Sequence, residues 1–387
     1  MDNNFKIVAK TLFGMEKVLA KELLDLGAQN IQIGNRIVSF MGDKGFIYKS
    51  NLCLHTALKI LKPIHKFKAN SNEELYSELY NYEWGKYMNE SNTFIFDSVL
   101  SGNIFTHSLF VSQKAKDALV DKFRDQNINR PNVDLEYPDF RFHLHINNND
   151  CSLLLDSSGE SLHKRGYRMS TNIAPINEVL AAGIIKLSGW DKSIDFIDPM
   201  CGSGTFLIEA AMMASNIPAN INRDEFAFEK WPDWDLDLFE LIQNSLLKKV
   251  KEPSINIYGY DKAPSAILKA KQNINQASLS DFISVNQSSF FETTKSSNKK
   301  LHLITNPPYG ERLKGDIKEL YKNIGDTLKT HYPDTDAWFI SSNLDAMKYV
   351  GLRPSRKIKL FNGKLESRLL NFPIYSGTKR IHKLNKK

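Results

Sequence analysis

Asn306-Pro307-Pro308-Tyr309 closes the short apolar run LHLIT at 301–305. Proline has no backbone N–H and pushes the residue before it into extended backbone. The stretch therefore presents carbonyls and one amide side chain, a surface that accepts hydrogen bonds rather than donates them. Its natural ligand brings N–H donors. A second stretch, Asp198-Pro199-Met200-Cys201-Gly202-Ser203-Gly204-Thr205, follows SIDFI and precedes FLIEAAMMA. Gly202 and Gly204 let backbone approach a ligand without interference from a Cβ. The loop lacks the third glycine of a dinucleotide fingerprint and the Gly-Lys-Ser/Thr of a P-loop. A third feature is Asp261, which ends IYGYD. A carboxylate there can accept hydrogen bonds from ribose hydroxyls, or cap the helix that follows. Singly, each has a bland reading: a turn, a cap, a rigid corner. In this order they point to a nucleoside cofactor, and what brings an N–H donor to Asn306 stays open.

Alternating elements must position these residues. From about Ile173 the pattern runs APINEVLAAGIIKLSGW (helix), SIDFID (strand), GTFLIEAAMMAS (helix), INIYGYD (strand), APSAILKAKQNINQA (helix), FISVNQSS, LHLIT and AWFISSN (strands). That predicts a mostly parallel, doubly wound sheet with ligands beyond the carboxyl ends of its strands. The N-terminal half reads differently. FKIVAKT predicts a strand. MEKVLAKELLDLGA predicts a helix stopped by Gly27, and IQIGNRIVSFMG a hairpin turning at Gly34-Asn35. LCLHTALKILKPI and EELYSELYNYEWGKYM read as helices, and TFIFDSV as a strand. SQKAKDALVDKFRDQ reads as an amphipathic helix with Lys114, Lys116 and Lys122 towards solvent, and FRFHLHINNNDCSLLLDSS as a hairpin at Asn147–Asn149. The expected division is an α+β unit at 1–50, a second at 51–157, a linker at 158–172 and an α/β domain at 173–387.

The 387 residues suit two or three domains. No apolar run approaches a bilayer span, and MDNNFKIVAK lacks a signal-peptide core. Three scattered cysteines form no metal or redox pair, so a reducing cytoplasm is expected, with no metal. Residues 1–157 hold 18 lysines and arginines against 19 acids; the remainder holds 33 against 25. The excess gathers in HKRGYR at 163–168 and in the tail KRIHKLNKK at 379–387. Such basic patches favour a polyanion, or form a solvated surface.

The three motifs together resemble those of class I S-adenosylmethionine-dependent methyltransferases. The resemblance implies a cofactor site at Asp198, Pro199, Cys201, Gly202, Ser203, Gly204, Thr205, Asp261, Ser289, Phe290 and Asn306. It implies an amine held at Asn306, Pro307, Pro308 and Tyr309, with the Asn306 and Pro307 oxygens accepting its N–H bonds and Tyr309 stacking on an extruded base. Ser288-Ser289-Phe290 departs from the family's usual acid beside the adenine. SGESLHKRGYR, the following API-N-E-VLAAGII and INRDEFAFEKWPDWD resemble a narrower group. These are bacterial RNA methyltransferases with an N-terminal THUMP domain, 23S rRNA guanine-N2 methyltransferases of the RlmL/YpsC type. That implies ferredoxin-like and THUMP domains ahead of a Rossmann-like one. The implied partner is 23S rRNA or its assembly precursor, with no membrane and no obligate protein partner, and S-adenosylhomocysteine is the product. RNA contacts are expected at Lys114, Lys116, Arg165 and Arg168; at the hinge, Arg165, Tyr167 and Arg168 read as an RNA or cofactor contact, or else as a solvated linker. For Asn222, Arg223 and Trp231 the resemblance implies a lid or substrate wall, and a structural insert is the other reading. Leu54-His55 stands where the family usually has Leu-Arg. Two rival readings are a DNA adenine-N6 methyltransferase, which uses the same amine logic, and a non-catalytic RNA-binding assembly factor.

Overall fold

The computed structural model describes residues 4–126, 129–168, 175–308 and 316–377. The N-terminal half contributes β1 (Phe5–Lys10), α1 (Glu16–Leu26), β2 (Gln29–Ile33), β3 (Ile37–Gly42), α2 (Lys44–Cys53), β4 (Lys59–Lys68), α3 (Asn72–Asn81), β5 (Thr93–Ser101), α4 (Ser108–Asp125), β6 (Asn132–Val133), β7 (Phe140–Asn147) and β8 (Asp150–Asp156). The C-terminal half contributes α5 (Glu178–Ser188), β9 (Asp195–Asp198), α6 (Thr205–Ala214), α7 (Leu236–Leu247), β10 (Ile257–Asp261), α8 (Pro264–Gln276), β11 (Ile283–Gln287), β12 (Leu301–Thr305), α9 (Ile317–His331), β13 (Thr335–Ser341), β14 (Arg356–Asn362) and β15 (Leu365–Ile374).

Local chemistry sets several of these boundaries. Gly27 ends α1 with φ +95°, a conformation glycine adopts without strain. Asp43 and Ser71 cap α2 and α3 by accepting the Phe46 and Glu74 N–H groups. The helix expected over LCLHTALKILKPI is overturned. α2 ends at Cys53, and Lys59–Lys68 form a strand with Pro63 beside a bulge in its pairing to β8. Proline is excluded from a helix interior, and burial between two strands outweighs a weak helical preference.

β4 pairs with β1 on one side and β8 on the other. The two N-terminal units therefore share one eight-stranded sheet, ordered β2-β3-β1-β4-β8-β7-β5-β6. The second sheet runs β11-β10-β9-β12-β13-β15-β14, parallel except for β15 and β14. This is the expected α/β, doubly wound, mostly parallel sheet. Alternate residues face opposite layers. Phe196, Ile304 and Trp338 pack under α5, α6 and α8, while Ile197, Leu303 and Phe339 pack under α9.

Residues 215–250 form a structural insert packed into the core, not a lid. Phe226, Phe228, Trp231 and Leu246 belong to the hydrophobic core of the N-terminal half. Tyr48 of α2 lies 4.6, 5.2 and 5.9 Å from the rings of Phe228, Trp234 and Phe239. The expected linker is also packed: Ser157, Ser158, Arg165 and Tyr167 are buried. Arg223 donates from its two terminal nitrogens to the carbonyls of Ser158, Glu160, Ser161 and Lys164, clamping this segment from the insert side.

Candidate active site

The parallel strands β9, β10 and β12 end beside one another, and their carboxyl ends bound a cleft of about 300 Å³. β9 delivers Asp198. Its Oδ1 accepts the Met200 N–H at 3.1 Å and the Thr305 hydroxyl at 2.7 Å. Burial, with the Asp261 charge adding to it, pushes the Asp198 carboxyl up to about 7 against these two bonds. The loop after it turns through Gly202 at φ +54° and Gly204 at φ +82°. Asn273 of α8 donates to the Ser203 carbonyl at 3.0 Å.

Asp261, at the end of β10, reaches back to this loop. Its Oδ2 accepts the Gly202 N–H at 3.0 Å and its Oδ1 the Ala263 N–H at 2.9 Å. The carboxylate thus holds the glycine turn and opens the helix that follows, and each oxygen keeps a further lone pair. Arg168 supports the loop from the other side. It bonds Glu178 at 2.6 Å, Thr205 Oγ1 at 3.0 Å and Ser203 Oγ at 3.3 Å.

β12 ends at Thr305, and the next residue carries the most telling atom. Asn306 Oδ1 is buried, with no hydrogen-bond partner among the described residues. A buried acceptor left unpaired is costly, so the atom is suited to a donor that arrives with a ligand. Pro307 and Pro308 line the same cleft.

The cleft thus brings together Asp198, Pro199, Cys201, Gly202, Ser203, Thr205, Asp261, Ser289, Phe290, Asn306, Pro307 and Pro308 from the sequence reading. Gly204 stands one step behind it, as the cap of α6 against Ala270. Tyr309 lies outside the described residues, as does the basic tail. Met200, Phe206, Lys262, Phe291 and Leu320 also line the cleft. Their apolar or generic character gave no signal in the sequence. Thr305 could have been noticed as the residue before the asparagine.

Of the expected RNA contacts, Arg165 is corrected. It is 1% exposed. It bonds Glu209 at 3.1 Å, the His55 carbonyl at 2.6 Å, the Leu162 carbonyl at 2.9 Å and Asn220 at 3.2 Å. His55 Nδ1 lies 3.2 Å from the same Glu209, so the residue that departs from the family pattern joins a buried ion cluster. No surface cation was lost there. Lys114 and Lys116 lie on α4, as expected, and are half-buried. Lys114 stands over Tyr76 and Phe110, and Lys116 pairs with Asp117 at 2.7 Å. Arg168 is tied to the glycine loop. Among the described residues no helix is long and apolar enough to cross a membrane.

Three separate stretches match known domains. Residues 6–61 match the RlmL ferredoxin-like domain, residues 69–156 the THUMP domain, and residues 165–371 the RMKL-like methyltransferase domain. The ribosomal RNA large subunit methyltransferase K/L of Desulfotalea psychrophila is 34% identical over 95% of the chain and 52% of its own length. The chain therefore spans about half the length of that relative. A Synechocystis protein named "Putative RNA methyltransferase" is 34% identical over 94% of the chain and 95% of its own length. A solved chain complexed with SAH superposes with a TM-score of 0.85 at 31% identity, covering 98% of this chain and all of that one. A Listeria monocytogenes chain, named a predicted N6-adenine-specific DNA methylase, gives 0.84 at 27% identity over 97% of each.

Proposed function

The chain belongs to the THUMP-containing family of RMKL-like methyltransferases, and from that premise we propose that it methylates the exocyclic N2 amine of a guanine in 23S rRNA. The methyl donor proposed is S-adenosylmethionine. The observation that carries the reading is the unpartnered, buried Asn306 Oδ1 beside the glycine loop and Asp261.

The residues present fit that donor. Asp261 has lone pairs for ribose hydroxyls, and Gly202 leaves open space where a side chain would stand. Ser289 and Phe290 offer a polar edge and an apolar wall to an adenine. When bound, the donor supplies a methyl group made electrophilic by a sulfonium. Asn306 Oδ1 and the Pro307 carbonyl accept the two N–H bonds of the target amine, which turns its lone pair out of the base plane. Both are neutral acceptors, so they align the amine rather than act as base, and the proton that the nitrogen sheds on methylation would pass to water. Positioning of this kind supplies much of the acceleration in a direct transfer. An exocyclic amine inside a duplex cannot reach the cleft, so the base is extruded or single-stranded.

The same amine logic serves adenine N6 in DNA, and the Listeria chain's name favours that reading for itself. The THUMP match and the rRNA-methyltransferase relatives support RNA for this chain. The test is methyl transfer onto protein-free 23S rRNA and onto duplex DNA, with nucleosides separated by mass spectrometry. N2-methylguanosine is expected, formed more slowly by Asn306→Ala by a factor on the order of a hundred or more. N6-methyladenine in DNA, or no product with either substrate, overturns the proposal.

A further inference from the structure

A second, larger cleft of about 990 Å³ lies between the N-terminal half and the methyltransferase half. One wall is the loop between β6 and β7, with Glu136, Tyr137 and Pro138. The other is the packed segment 159–168 with Arg223. The cleft joins the cofactor cleft: Pro175 and Ile176 line both. Arg168 lies in the larger cleft while its guanidinium bonds Ser203 and Thr205 of the smaller.

Tyr137 is the unusual residue here. Its side chain is 68% exposed, and among the described residues its ring stacks on no other. Yet its backbone is held firmly. Asp134 Oδ1 accepts the N–H groups of both Glu136 and Tyr137 at 2.9 Å. Asp139, at the other end of the loop, accepts the Thr93 N–H at 3.0 Å and pairs with Lys230 of the insert at 3.2 Å. An aromatic ring on a loop pinned at both ends is a ready platform, because little order is lost when a flat group stacks on it. The surroundings suit a polyanion. Seven lysines and arginines line the cleft against five acids. Most of those cations are already paired, so the excess is modest and stacking is the larger contribution.

From this placement we infer that the larger cleft is a track for the single-stranded RNA next to the extruded base, with Tyr137 as the platform for a neighbouring base. Bases of any type stack on an aromatic ring, and phosphates between them face the cationic walls. His163, on the same wall, is consistent with a positive local potential. Burial, and then the Arg165, Lys164, Arg168 and Arg223 charges, hold its imidazole down to about 4. The inference rests on the RNA methyltransferase reading for its purpose, while the binding itself can be measured alone.

The experiment uses the full chain and a fluorescent single-stranded RNA of about a dozen mixed nucleotides, read by anisotropy. Tyr137→Ala should weaken binding by about ten-fold or more, and Tyr137→Phe should stay within about two-fold, since stacking needs the ring and not the hydroxyl. Both variants should bind S-adenosylmethionine as the parent does. In parallel, the same RNA carrying 4-thiouridine is crosslinked and the attached peptides are identified. Attachment to residues 134–141 or 159–168 is expected. Attachment confined to α3 and α4, parent-like binding by Tyr137→Ala, or no binding by the parent chain each overturns the track. RNA held in the cleft with no methyl transferred to rRNA leaves the track standing and removes the methyltransferase reading. Methyl transfer with the crosslink elsewhere does the reverse.

Discussion

Asp261 Oδ2 accepts the backbone N–H of Gly202 at 3.0 Å, 59 residues away in sequence. One carboxylate therefore shapes the loop and faces the cleft that the loop borders.

Asp261→Ala should remove both roles. Loss of hydrogen bonds to a charged acceptor costs about 1.5–3 kcal/mol, which is roughly a ten- to hundred-fold weaker S-adenosylmethionine complex by titration calorimetry. Unchanged affinity would rule out contact between this carboxylate and the cofactor.

Asn306→Ala should separate binding from turnover. In the proposed reaction the side chain serves the target amine, so cofactor affinity should hold within a few-fold. Turnover should fall by a factor on the order of a hundred or more, as when a polarising group is deleted. The pair of measurements decides: a variant that still turns over near the parent rate has no need of the amide.

Asp198 should make the ligand-free protein pH-sensitive. Its carboxyl stands near 7 when folded, against an ordinary 3.8. Between these values the folded state holds a proton that the unfolded chain has released. Stability is therefore fully present below about 4 and lost as pH rises towards 7, by up to a few kcal/mol. Thermal unfolding scanned across this window should show the slope in the parent and a flatter line in Asp198→Asn. Parallel lines would assign the slope to other groups.

Arg165 and Glu209 are both fully enclosed. Arg165→Ala leaves Glu209 with only His55 and the Tyr167 hydroxyl, and an uncompensated buried charge costs about 3–5 kcal/mol. Urea unfolding should show that loss. The double variant Arg165→Met, Glu209→Leu should recover much of it, because it leaves no charge behind.

What could be read in the sequence was what depends on near neighbours. Gly202, Gly204, Asp261 and Asn306 announce themselves by their position at strand ends, and the parallel sheet follows from the alternation around them. The matches over residues 6–61, 69–156 and 165–371 agree with the resemblance drawn from the motifs. Arg165 was misplaced because its partner, Glu209, lies 44 residues on, the one acid in an otherwise apolar helix. Lys59–Ile64, the end of LCLHTALKILKPI, were taken for helix because leucines and isoleucines serve either element, and the strand neighbours β1 and β8 are distant in the chain. The C-terminal hairpin of β14 and β15 went unread although it is local, turning at Gly363-Lys364.

The aromatic cluster around Tyr48 also sets an order of events at the ribosome. Tyr48 and Phe228 are in contact yet 180 positions apart. At about 5–20 residues per second, a nascent N-terminal half waits roughly ten to forty seconds for the insert that completes its core. During that interval the aromatic partners of Tyr48 on α2 have yet to be made, and that face stays open to water. Synthesis speed across residues 50–230 is thus a control on yield that no property of the finished molecule reveals.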